Sequence, residues 1–342
     1  MKTDVIILNW NGADMLRRFL PSVVEGTAGD ARIVVADNGS TDASMQILRE
    51  DFPQVEVLNL AANHGFAEGY NRAIAMTDAE NIVLLNSDVE VTPGWLRPLA
   101  RYMDAHPECA ACQPKLLAVH DRHSFEYAGA SGGFIDRYGY PFCRGRVMEV
   151  VEKDLGQYDD EAEVFWATGA ALYIRRADYE AAGGLDRRFF AHMEEIDLCW
   201  RLQSMGRKVA CVPSSVVYHV GGGTLNQGNP RKTQLNFRNN LLMLYKNLPQ
   251  SELRHVMRVR RLLDHVAAFK MLITGDTANA KAVLRARAEF RKMQPSYAPV
   301  RAEVQSRAKV GTIPTQMPSS LLLRFFLGGG KTYTRLQKYF TP

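Results

Sequence analysis

Residues 3–12 have the sequence TDVIILNWNG, in which an apolar run from Val5 to Leu8 ends in polar side chains and a glycine. Four consecutive apolar residues without alternation predict a strand that is buried on both faces, as strands of parallel sheets are. Apolar residues at helical spacing between Leu16 and Val24 predict a helix directly after it. This strand–helix pair is typical of the first half of a β-α-β unit.

The alternation of strand and helix continues along the first quarter of the chain. Apolar runs at residues 33–36 and 82–85 and the segment Val55-Glu56-Val57-Leu58 predict three more strands, with helices after residue 40 and around residues 67–77. The pattern predicts an α/β fold with a Rossmann-like, mostly parallel sheet flanked by helices. In such sheets, ligands bind beyond the carboxyl ends of the strands.

The rest of the chain is less regular. We predict strands at residues 164–174, 209–212 and 216–218, and helices at residues 95–103, 194–205, 239–248 and 252–273. Gly206 is the expected helix-ending residue after the helix at 194–205. These segments predict a helical, basic C-terminal region at residues 251–342 behind an α/β region at residues 1–250.

The composition is that of a globular protein. Hydrophobic residues make up 46% of the 342 residues and charged residues 23%, which excludes a disordered or disulfide-stapled chain. No apolar stretch approaches the ~20 residues that a membrane-spanning helix needs. Asp4 and Asn9 interrupt the apolar run near the N-terminus, so we expect no signal peptide. The five cysteines are few and odd in number, which favours a reduced, cytoplasmic compartment.

The net charge of +5 is divided unevenly along the chain. Residues 254–342 contain 17 Lys and Arg but only 4 Asp and Glu, so this tail carries +13, whereas residues 1–253 carry −8. Such a tail indicates an anionic partner, with nucleic acid and an anionic membrane surface as the main options. Because no aromatic residues are regularly interleaved there for base stacking, we expect no nucleic-acid partner.

The tail contains two segments in which apolar and basic residues are mixed. In residues 253–273, Val256, Met257 and Leu263 are interleaved with arginines, and residues 321–327 form a short apolar segment with basic neighbours. Cationic amphipathic helices of this kind lie in membrane interfaces, which would place the protein at the inner face of the cell membrane. The same periodicity is equally typical of a helix that packs its apolar face on the rest of the protein.

Polar clusters follow three of the four strands predicted near the N-terminus. They are Asn9-Trp10-Asn11 after the first strand, Asp37-Asn38 after the second and Asn86-Ser87-Asp88 after the fourth. A single Asp at a strand end is most often a helix N-cap. Three clusters at the carboxyl edge of one sheet instead predict a binding crevice.

Asp88 and His219 are the candidate metal ligands. A single carboxylate can bind Mg²⁺ or Mn²⁺ and leave positions open for substrate phosphates. The alternative is that Asn86-Ser87-Asp88 only closes a turn. His219 ends a predicted strand before three glycines, where a neutral imidazole can either bind a metal or serve the structure.

Three carboxylates, Glu194, Glu195 and Asp197, are concentrated at the start of a predicted helix. Acids in a first turn interact favourably with the helix dipole, so a purely structural role is one interpretation. The other is catalytic, because like charges this close raise the pKa of one group toward that of a useful general base.

Other cofactor motifs are absent from the sequence. It has no GxGxxG after the first strand and no GxxxxGK[ST], so nicotinamide and P-loop chemistry lack their phosphate-binding loops. Cys109 and Cys112 have the spacing of a zinc or redox motif, but no second pair stands at suitable spacing. Two small buried residues on a strand are the simpler interpretation.

Eight ordered motifs together resemble the family-2 glycosyltransferases, which are inverting enzymes with a GT-A-type fold. They are VIILNWNG, ADNGSTD, NHGFAEGYNRA, LLNSDVEV, TGAALYIRR, GGLDRRFF, EEIDLCWRL and YHVGGGT. The resemblance extends over roughly residues 3–250 and is greatest to bacterial members that include rhamnosyltransferases. It implies a nucleotide-sugar-binding catalytic domain at residues 1–250, to which the helical, basic region at residues 251–342 is attached.

The resemblance also implies roles for individual residues. The expected nucleotide-sugar-binding residues are Asn9, Trp10, Asn11, Asp37, Asn63, Gly65, Asn71, Asn86, Ser87, Gly169 and Arg238. Asp37 would accept a hydrogen bond from the N3–H of a pyrimidine. Asn86-Ser87-Asp88 stands at the place of the family's DxD motif, so Asp88, with His219, would bind Mg²⁺ or Mn²⁺. Glu195 stands at the place of the catalytic aspartate, with Glu194 and Asp197 as alternatives for the base.

The expected donor is a UDP- or dTDP-linked sugar, and the expected acceptor is a hydroxyl of a glycan or of a lipid-linked carrier in cell-surface polysaccharide synthesis. The sugar, the linkage and the oligomeric state are left open. One alternative is a nucleotidyltransferase, which would need a Gly-rich basic loop after the first strand. The other is an inactive nucleotide-sugar-binding or membrane-docking protein, and the intact acidic cluster argues against it.

Overall fold

A computed structural model describes residues 2–221 and 228–340, which form a ten-stranded sheet flanked by helices and a smaller five-stranded sheet. The strands are β1 (Thr3–Asn9), β2 (Arg32–Asp37), β3 (Glu56–Asn59), β4 (Asn81–Asn86), β5 (Val89–Val91), β6 (Cys109–Ala118), β7 (Asp121–Phe125), β8 (Gly133–Asp136), β9 (Pro141–Cys143), β10 (Arg146–Val147), β11 (Val150–Val151), β12 (Ala162–Glu163), β13 (Ala171–Arg175), β14 (Lys208–His219) and β15 (Gln316–Met317). The helices are α1 (Ala13–Thr27), α2 (Ser44–Asp51), α3 (Gly65–Ala75), α4 (Leu96–Ala105), α5 (Arg176–Ala181), α6 (Glu194–Ser204), α7 (Pro230–Asn247), α8 (Gln250–Ile273), α9 (Thr277–Arg307), α10 (Leu321–Phe326) and α11 (Tyr333–Gln337).

The N-terminal half of the large sheet has the predicted parallel arrangement. Strand β1 lies between β2 and β4, and β3 extends the sheet beyond β2, all in parallel. Asn9 is in register with Asp37, and Leu8 with Asn86. The carboxyl ends of these strands therefore lie level, which brings the three polar clusters to one edge and confirms the predicted α/β fold class.

Burial explains why these strands have unbroken apolar sequences. Alternate side chains of a strand point to opposite faces. Ile6 packs with Val34 in the core on one face of the sheet, whereas Ile7 packs with Val35 in the core on the other face. Since helices cover both faces, Val5, Ile6 and Ile7 are all buried, and only Leu8 at the end of the run is partly exposed.

The other half of the sheet has mixed strand directions. Strand β13 runs antiparallel to β4 and to β6, which pairs in parallel with β14. The strands predicted at 209–212 and 216–218 form the single strand β14, with a register shift between Val212 and Val216. The strand predicted at 164–174 is wrong in its first half, because only β13 is a strand and the preceding backbone crosses to Gly133 of the small sheet.

The C-terminal region packs on the α/β region. Helix α8 begins at Gln250, at the predicted boundary, and Val256, Phe290 and Leu321 join the same core as the large sheet. Strand β15 completes the small sheet by pairing with β8, an arrangement that sequence analysis missed. The inner apolar face of the tail is thus buried, while part of its outer face stays exposed.

Within the described residues, no helix combines the length and apolarity that crossing a membrane requires.

The cysteines have the simpler of the two predicted roles. Cys109 and Cys112 lie buried on β6, and all five cysteines are free thiols. Burial raises the pKa of Cys109 to about 12, so its reactive thiolate is scarce at neutral pH.

Candidate active site

Asp37 is held rigidly at the end of β2 by polar neighbours. Asn9 Nδ2 donates to Asp37 Oδ1 at 3.2 Å, and the backbone N–H of Ser40 donates to Oδ2 at 3.0 Å. Asn9 is fully buried, so its position behind Asp37 suits support of the carboxylate rather than contact with a ligand. Because a carboxylate can accept about four hydrogen bonds, Asp37 retains capacity for a donor on a ligand.

Trp10 and Asn11 form the rim of the same crevice. Trp10 is 48% exposed, which is unusual for so large an apolar ring and leaves its face available for stacking. Asn11 has a left-handed backbone with φ of 49°, and its side-chain oxygen accepts from the N–H of Thr41 at 2.7 Å. Asn11 therefore fixes the path of the rim against the β2–α2 loop.

The loop before α3 is joined to β2 by amide side chains. Asn38 Nδ2 donates to the carbonyl oxygen of Gly65, and Asn63 Oδ1 accepts from the N–H of Gly65 at 2.8 Å. Gly65 has φ of 77°, and a Cβ there would lie 2.5 Å from the ring of Phe190. Glycine is thus required both by the backbone and by the close approach of the segment that precedes α6.

Asp88 and His219 meet at the end of the sheet, where β14 pairs with β5. His219 Nε2 lies 3.1 Å from Asp88 Oδ1 and 3.4 Å from Asn86 Nδ2. Burial alone would raise the pKa of Asp88, but the hydrogen bond and charge of His219 lower it. Burial alone would lower the pKa of His219, but the carboxylates of Glu126 and Asp88 raise it to about 10.

Glu126 is a member of this cluster that sequence analysis missed. It is buried, its Oε1 lies 3.4 Å from His219 Nδ1, and its Oε2 accepts from the N–H of Ala128 at 2.6 Å. Glu126 follows β7, far in sequence from the recognised motifs, so no local pattern could indicate it. A carboxylate on the outer nitrogen of a histidine is the usual partner of a metal-binding imidazole.

These side chains would provide two donors of the type that a divalent cation uses, one carboxylate oxygen and, once the cation displaces the proton of His219, one imidazole nitrogen. The described residues contain no group of three or more His, Cys, Asp and Glu side chains that could hold a metal ion. Two protein ligands suit a cation whose remaining positions are filled by substrate phosphates and water. The donor set therefore fits such a cation only together with a phosphorylated ligand.

Glu194 and Glu195 open α6 with carboxylates that lack partners. Glu194 Oε2 and Glu195 Oε2 are buried and have no hydrogen-bond partner among the described residues. Burial raises the pKa of Glu195 to about 7, and burial together with the nearby Glu195 raises the pKa of Glu194 well above its usual value. A carboxyl group that titrates near neutral pH and has an unused oxygen is suited to accept a proton.

Glu195 lies close to the end of β4. A Cβ on Gly169 would be 3.7 Å from Glu195 Cβ and 3.4 Å from the ring of Phe66. The next residue, Ala170, accepts a hydrogen bond from the N–H of Asn86 at 3.0 Å. Glu195 therefore lies next to Gly169 and close to the end of β4, which Asn86, Ser87 and Asp88 follow.

The contacts of Asp197 indicate a structural role and favour one of the two glutamates as the base. It is fully buried, and its Oδ2 accepts from Arg201 Nε at 3.0 Å and from Lys246 Nζ at 2.7 Å. Asn247 Nδ2 donates to Oδ1 at 2.8 Å. With both oxygens bound to cationic or amide donors, Asp197 joins α6 to α7 and cannot reach an acceptor hydroxyl.

Replacing Asp197 with Ala should lower the free energy of unfolding by roughly 3–5 kcal/mol, because Arg201 and Lys246 would remain buried with one partner fewer. Urea unfolding followed by circular dichroism measures the change. As a control, Asp14→Ala should leave stability nearly unchanged, since Asp14 is exposed and lies 3.8 Å from Arg17. An Asp197→Ala protein of normal stability would contradict this structural role.

Arg238 and Asn71 also have mainly structural contacts, unlike the roles that the resemblance implies. Arg238 donates to the carbonyl oxygen of Phe189 at 3.0 Å and lies 3.5 Å from Glu289, which leaves little of its guanidinium for a diphosphate. Asn71 Nδ2 donates to the carbonyl oxygen of Leu185, and its Oδ1 accepts from the N–H of Leu185. Both side chains hold the segment that leads into α6.

That segment has a strained backbone. Phe190, His192 and Met193 have φ between 67° and 73°, a conformation that side-chain-bearing residues rarely adopt. Asn239 Nδ2 holds it by donating to the carbonyl oxygens of Phe189, Ala191 and His192 at 2.8–3.0 Å. The contacts that hold this strained backbone also fix the start of α6, and therefore the direction of Glu195. Residues 222–224 of the YHVGGGT motif lie outside the described residues.

The fold is that of the GT-A-type glycosyltransferases. S. aureus TarS 1–349 in complex with UDP-GlcNAc matches with a TM-score of 0.57 and 14% identity over 90% of this chain and 89% of that one. GalNAc-T7 with UDP, GalNAc and Mn²⁺ matches with a TM-score of 0.56 and 16% identity over 72% of this chain and 48% of that one.

The chain belongs to glycosyl transferase family 2, whose model matches residues 4–178. An N-acetylglucosaminyl-diphospho-decaprenol L-rhamnosyltransferase of Mycobacterium tuberculosis is 29% identical over 233 residues, which are 63% of this chain and 75% of that protein. The O-antigen biosynthesis protein RfbC of Myxococcus xanthus is 26% identical over 64% of this chain and 17% of its own length. The predicted family is confirmed, and the nucleotidyltransferase alternative finds no support.

Proposed function

We propose that this glycosyltransferase moves a sugar from a UDP- or dTDP-linked donor to a hydroxyl of a glycan or lipid-linked acceptor, with inversion at the anomeric carbon. The observation that carries the proposal is Glu195, whose carboxyl group has a pKa of about 7 and whose buried Oε2 has no hydrogen-bond partner among the described residues. It adjoins Gly169, and through Ala170 the end of β4, where the donor diphosphate would bind.

The donor is held by groups at the carboxyl ends of the strands. Asp37 accepts from the pyrimidine N3–H, a donor that uracil and thymine share, and Trp10 covers the base. Asp88 and His219 would hold Mg²⁺ or Mn²⁺, which when bound would neutralise charge developing on the departing diphosphate. Asn9 and Glu126 orient Asp37 and His219, respectively, from behind.

The transfer step needs one proton acceptor. The acceptor hydroxyl oxygen forms a bond to the anomeric carbon as the bond from that carbon to the diphosphate oxygen breaks. Glu195 takes the hydroxyl proton during the attack, and the electron pair of the broken bond leaves on the diphosphate. Because one displacement occurs without a covalent sugar–enzyme intermediate, the anomeric configuration inverts.

The similarity to a rhamnosyltransferase narrows the substrates to be tested. The name of that relative describes transfer of L-rhamnose to a lipid-linked diphosphate acceptor. We propose dTDP-linked rhamnose as the first donor to assay and a polyprenyl-diphosphate sugar as the first acceptor. A role in cell-surface polysaccharide synthesis accords with such an acceptor and with the similarity to an O-antigen biosynthesis protein.

A screen of nucleotide sugars tests the proposal. With Mn²⁺ present, UDP or dTDP should raise the melting temperature, because the ligand binds the folded state, whereas GDP should not. The nucleotide sugar that stabilises most should be consumed when acceptor is added. The proposal fails if neither pyrimidine nucleotide stabilises the protein and no nucleotide sugar is turned over.

The pH dependence of the reaction should reflect the ionisation of Glu195. The base must be deprotonated, so kcat/KM should fall as the pH drops below about 7 rather than near the ordinary glutamate value of 4.5. Initial rates at subsaturating substrate across this range measure the midpoint. Activity that is constant down to pH 5 would show that Glu195 is not the titrating base.

A further inference from the structure

The outer face of α8 exposes large apolar side chains that nothing in the described part of the chain covers. Leu262 is 65% exposed, Phe269 62% and Ile273 67%, and Val266 lies exposed between them. Positions 262, 266, 269 and 273 share one side of a helix. Single exposed apolar residues are ordinary, but a continuous stripe marks an interaction surface.

The stripe extends onto the neighbouring helix at the tip of the α8–α9 hairpin. A cavity of about 350 Å³ opens there between Phe269 and Leu272 of α8 and Leu284 of α9. Opposite the stripe, buried Asp264 pairs with Arg260 of α8 and with Arg287 of α9. The two helices are thus locked together, so the docking face (Leu262, Val266, Phe269, Leu272, Ile273 and Leu284) is presented as a rigid surface.

Basic residues surround the docking face. Those exposed on the two helices near it are Arg254, Arg258, Arg261, Lys270, Lys281 and Arg285. The only acid between residues 253 and 275 is the buried and paired Asp264. An apolar stripe flanked by cations matches an interface of anionic lipid, in which acyl chains receive the apolar groups and headgroups face the cations. A second copy of the chain would instead bring like charges together.

The docking face is linked to the candidate active site. Asn279, in the first turn of α9, donates through Nδ2 to the carbonyl oxygen of Gly228 at 2.9 Å. Gly228 precedes α7, whose Gln234 and Arg238 contact Glu289 of α9. Helix α7 also holds the segment before Glu195 through Asn239. A surface bound at the hairpin would therefore lie against helices that pack on α7, the helix that holds the segment before Glu195.

We propose that the docking face binds an anionic membrane surface and so holds the enzyme where a lipid-linked acceptor is found. The binding itself stands on the exposed apolar stripe and its cations. The link to an acceptor rests on the proposed function.

Cosedimentation of the full chain with vesicles tests the proposal. Phosphatidylcholine vesicles that contain phosphatidylglycerol should bind the protein, whereas pure phosphatidylcholine vesicles should bind it much less, and added salt should release it. Phe269→Ser should weaken binding by about tenfold or more, since a large apolar group is lost from the interface. Lys270→Glu should weaken it by at least about fivefold, the usual effect of one basic charge.

Matched variants elsewhere on the surface distinguish vesicle binding by the docking face from non-specific adsorption. Leu155 is 86% exposed in a distant loop, and Arg101 is exposed on α4. Leu155→Ser and Arg101→Glu should bind vesicles as the unchanged protein does. All four variants should keep their melting temperature and their stabilisation by UDP or dTDP, because none touches the nucleotide crevice.

Three results would overturn the proposal. The first is equal binding to neutral and anionic vesicles, or none to either. The second is a Phe269→Ser protein that binds vesicles normally. The third is binding of duplex DNA, or a concentration-dependent dimer, that Phe269→Ser abolishes without any effect on vesicles. Vesicle binding needs no nucleotide sugar, so its failure would leave the proposed glycosyl transfer intact, and failure of the transfer assay would leave vesicle binding intact.

Discussion

Replacing Glu195 with Gln should lower kcat by roughly 10²- to 10⁴-fold, the usual contribution of a general base. Gln has nearly the same size and can hydrogen-bond, but it cannot take the proton of the acceptor hydroxyl. The affinity for the nucleotide donor should stay nearly unchanged, because the proposed base acts on the acceptor. Steady-state rates with saturating donor and acceptor measure the loss, and calorimetric titration with the nucleotide measures donor binding.

Glu194→Gln is the matched control, since Glu194 is the adjacent carboxylate on the same helix turn and is also buried without a partner for Oε2. We expect a much smaller loss of kcat for it than for Glu195→Gln. The assignment within the pair is wrong if Glu195→Gln turns over normally while Glu194→Gln is inactive. If both variants stay fully active, the proposed general-base mechanism is wrong as well.

Replacing Asp88 with Asn should abolish metal-dependent turnover and weaken Mn²⁺ binding by more than about 10²-fold. The variant removes the only carboxylate oxygen that the cluster offers beside His219 Nε2. Mn²⁺ binding in the presence of UDP or dTDP, followed by electron paramagnetic resonance, measures affinity without turnover. The fold should survive, because Asp88 lies at a strand end and not in the apolar core.

Glu126→Gln provides a graded comparison for the same site. Glu126 contacts His219 Nδ1 and not the proposed cation, so its loss should cost roughly 10- to 100-fold in Mn²⁺ affinity, as outer-shell partners do. A purely structural role of Glu126 would instead lower the melting temperature and leave Mn²⁺ affinity unchanged. If Asp88→Asn binds Mn²⁺ as well as the unchanged protein, the metal site is not at Asp88.

The features that sequence analysis predicted correctly depend on short-range patterns. The apolar runs at Val5–Leu8, 33–36 and 82–85 and the segment at 55–58 predicted β1 to β4 within a few residues. Burial on both faces leaves the sequences of β1, β2 and β4 largely apolar, whereas β3 at the edge of the sheet carries the exposed Glu56. Parallel strands then bring their carboxyl ends to one edge, so Asp37 and Asp88 could be assigned to one crevice before any coordinates were known.

The errors arose where a residue's role depends on distant partners. Glu194, Glu195 and Asp197 are equivalent acids in the sequence, yet Asp197 pairs with Lys246 of α7 whereas the two glutamates have unpaired oxygens. The first half of the strand predicted at 164–174 does not form a strand for a related reason, since its backbone bonds to Gly133 of the small sheet as well as, through Val164, to Val209 of β14.

The α/β class, the positions of the first four strands along the chain and the expected crevice at their ends follow from local apolar periodicity and turn residues. Only the tertiary structure distinguishes Asp197, which is in a buried ion pair, from Glu195, the candidate base. It also places Glu126 beside His219. In the tail, it shows which helix face is buried and which is exposed and cationic. The physical reason is that hydrophobic periodicity reflects only whether a side chain is buried. The pKa of a carboxyl group and the partner of an apolar face depend on which atoms the completed fold places next to them.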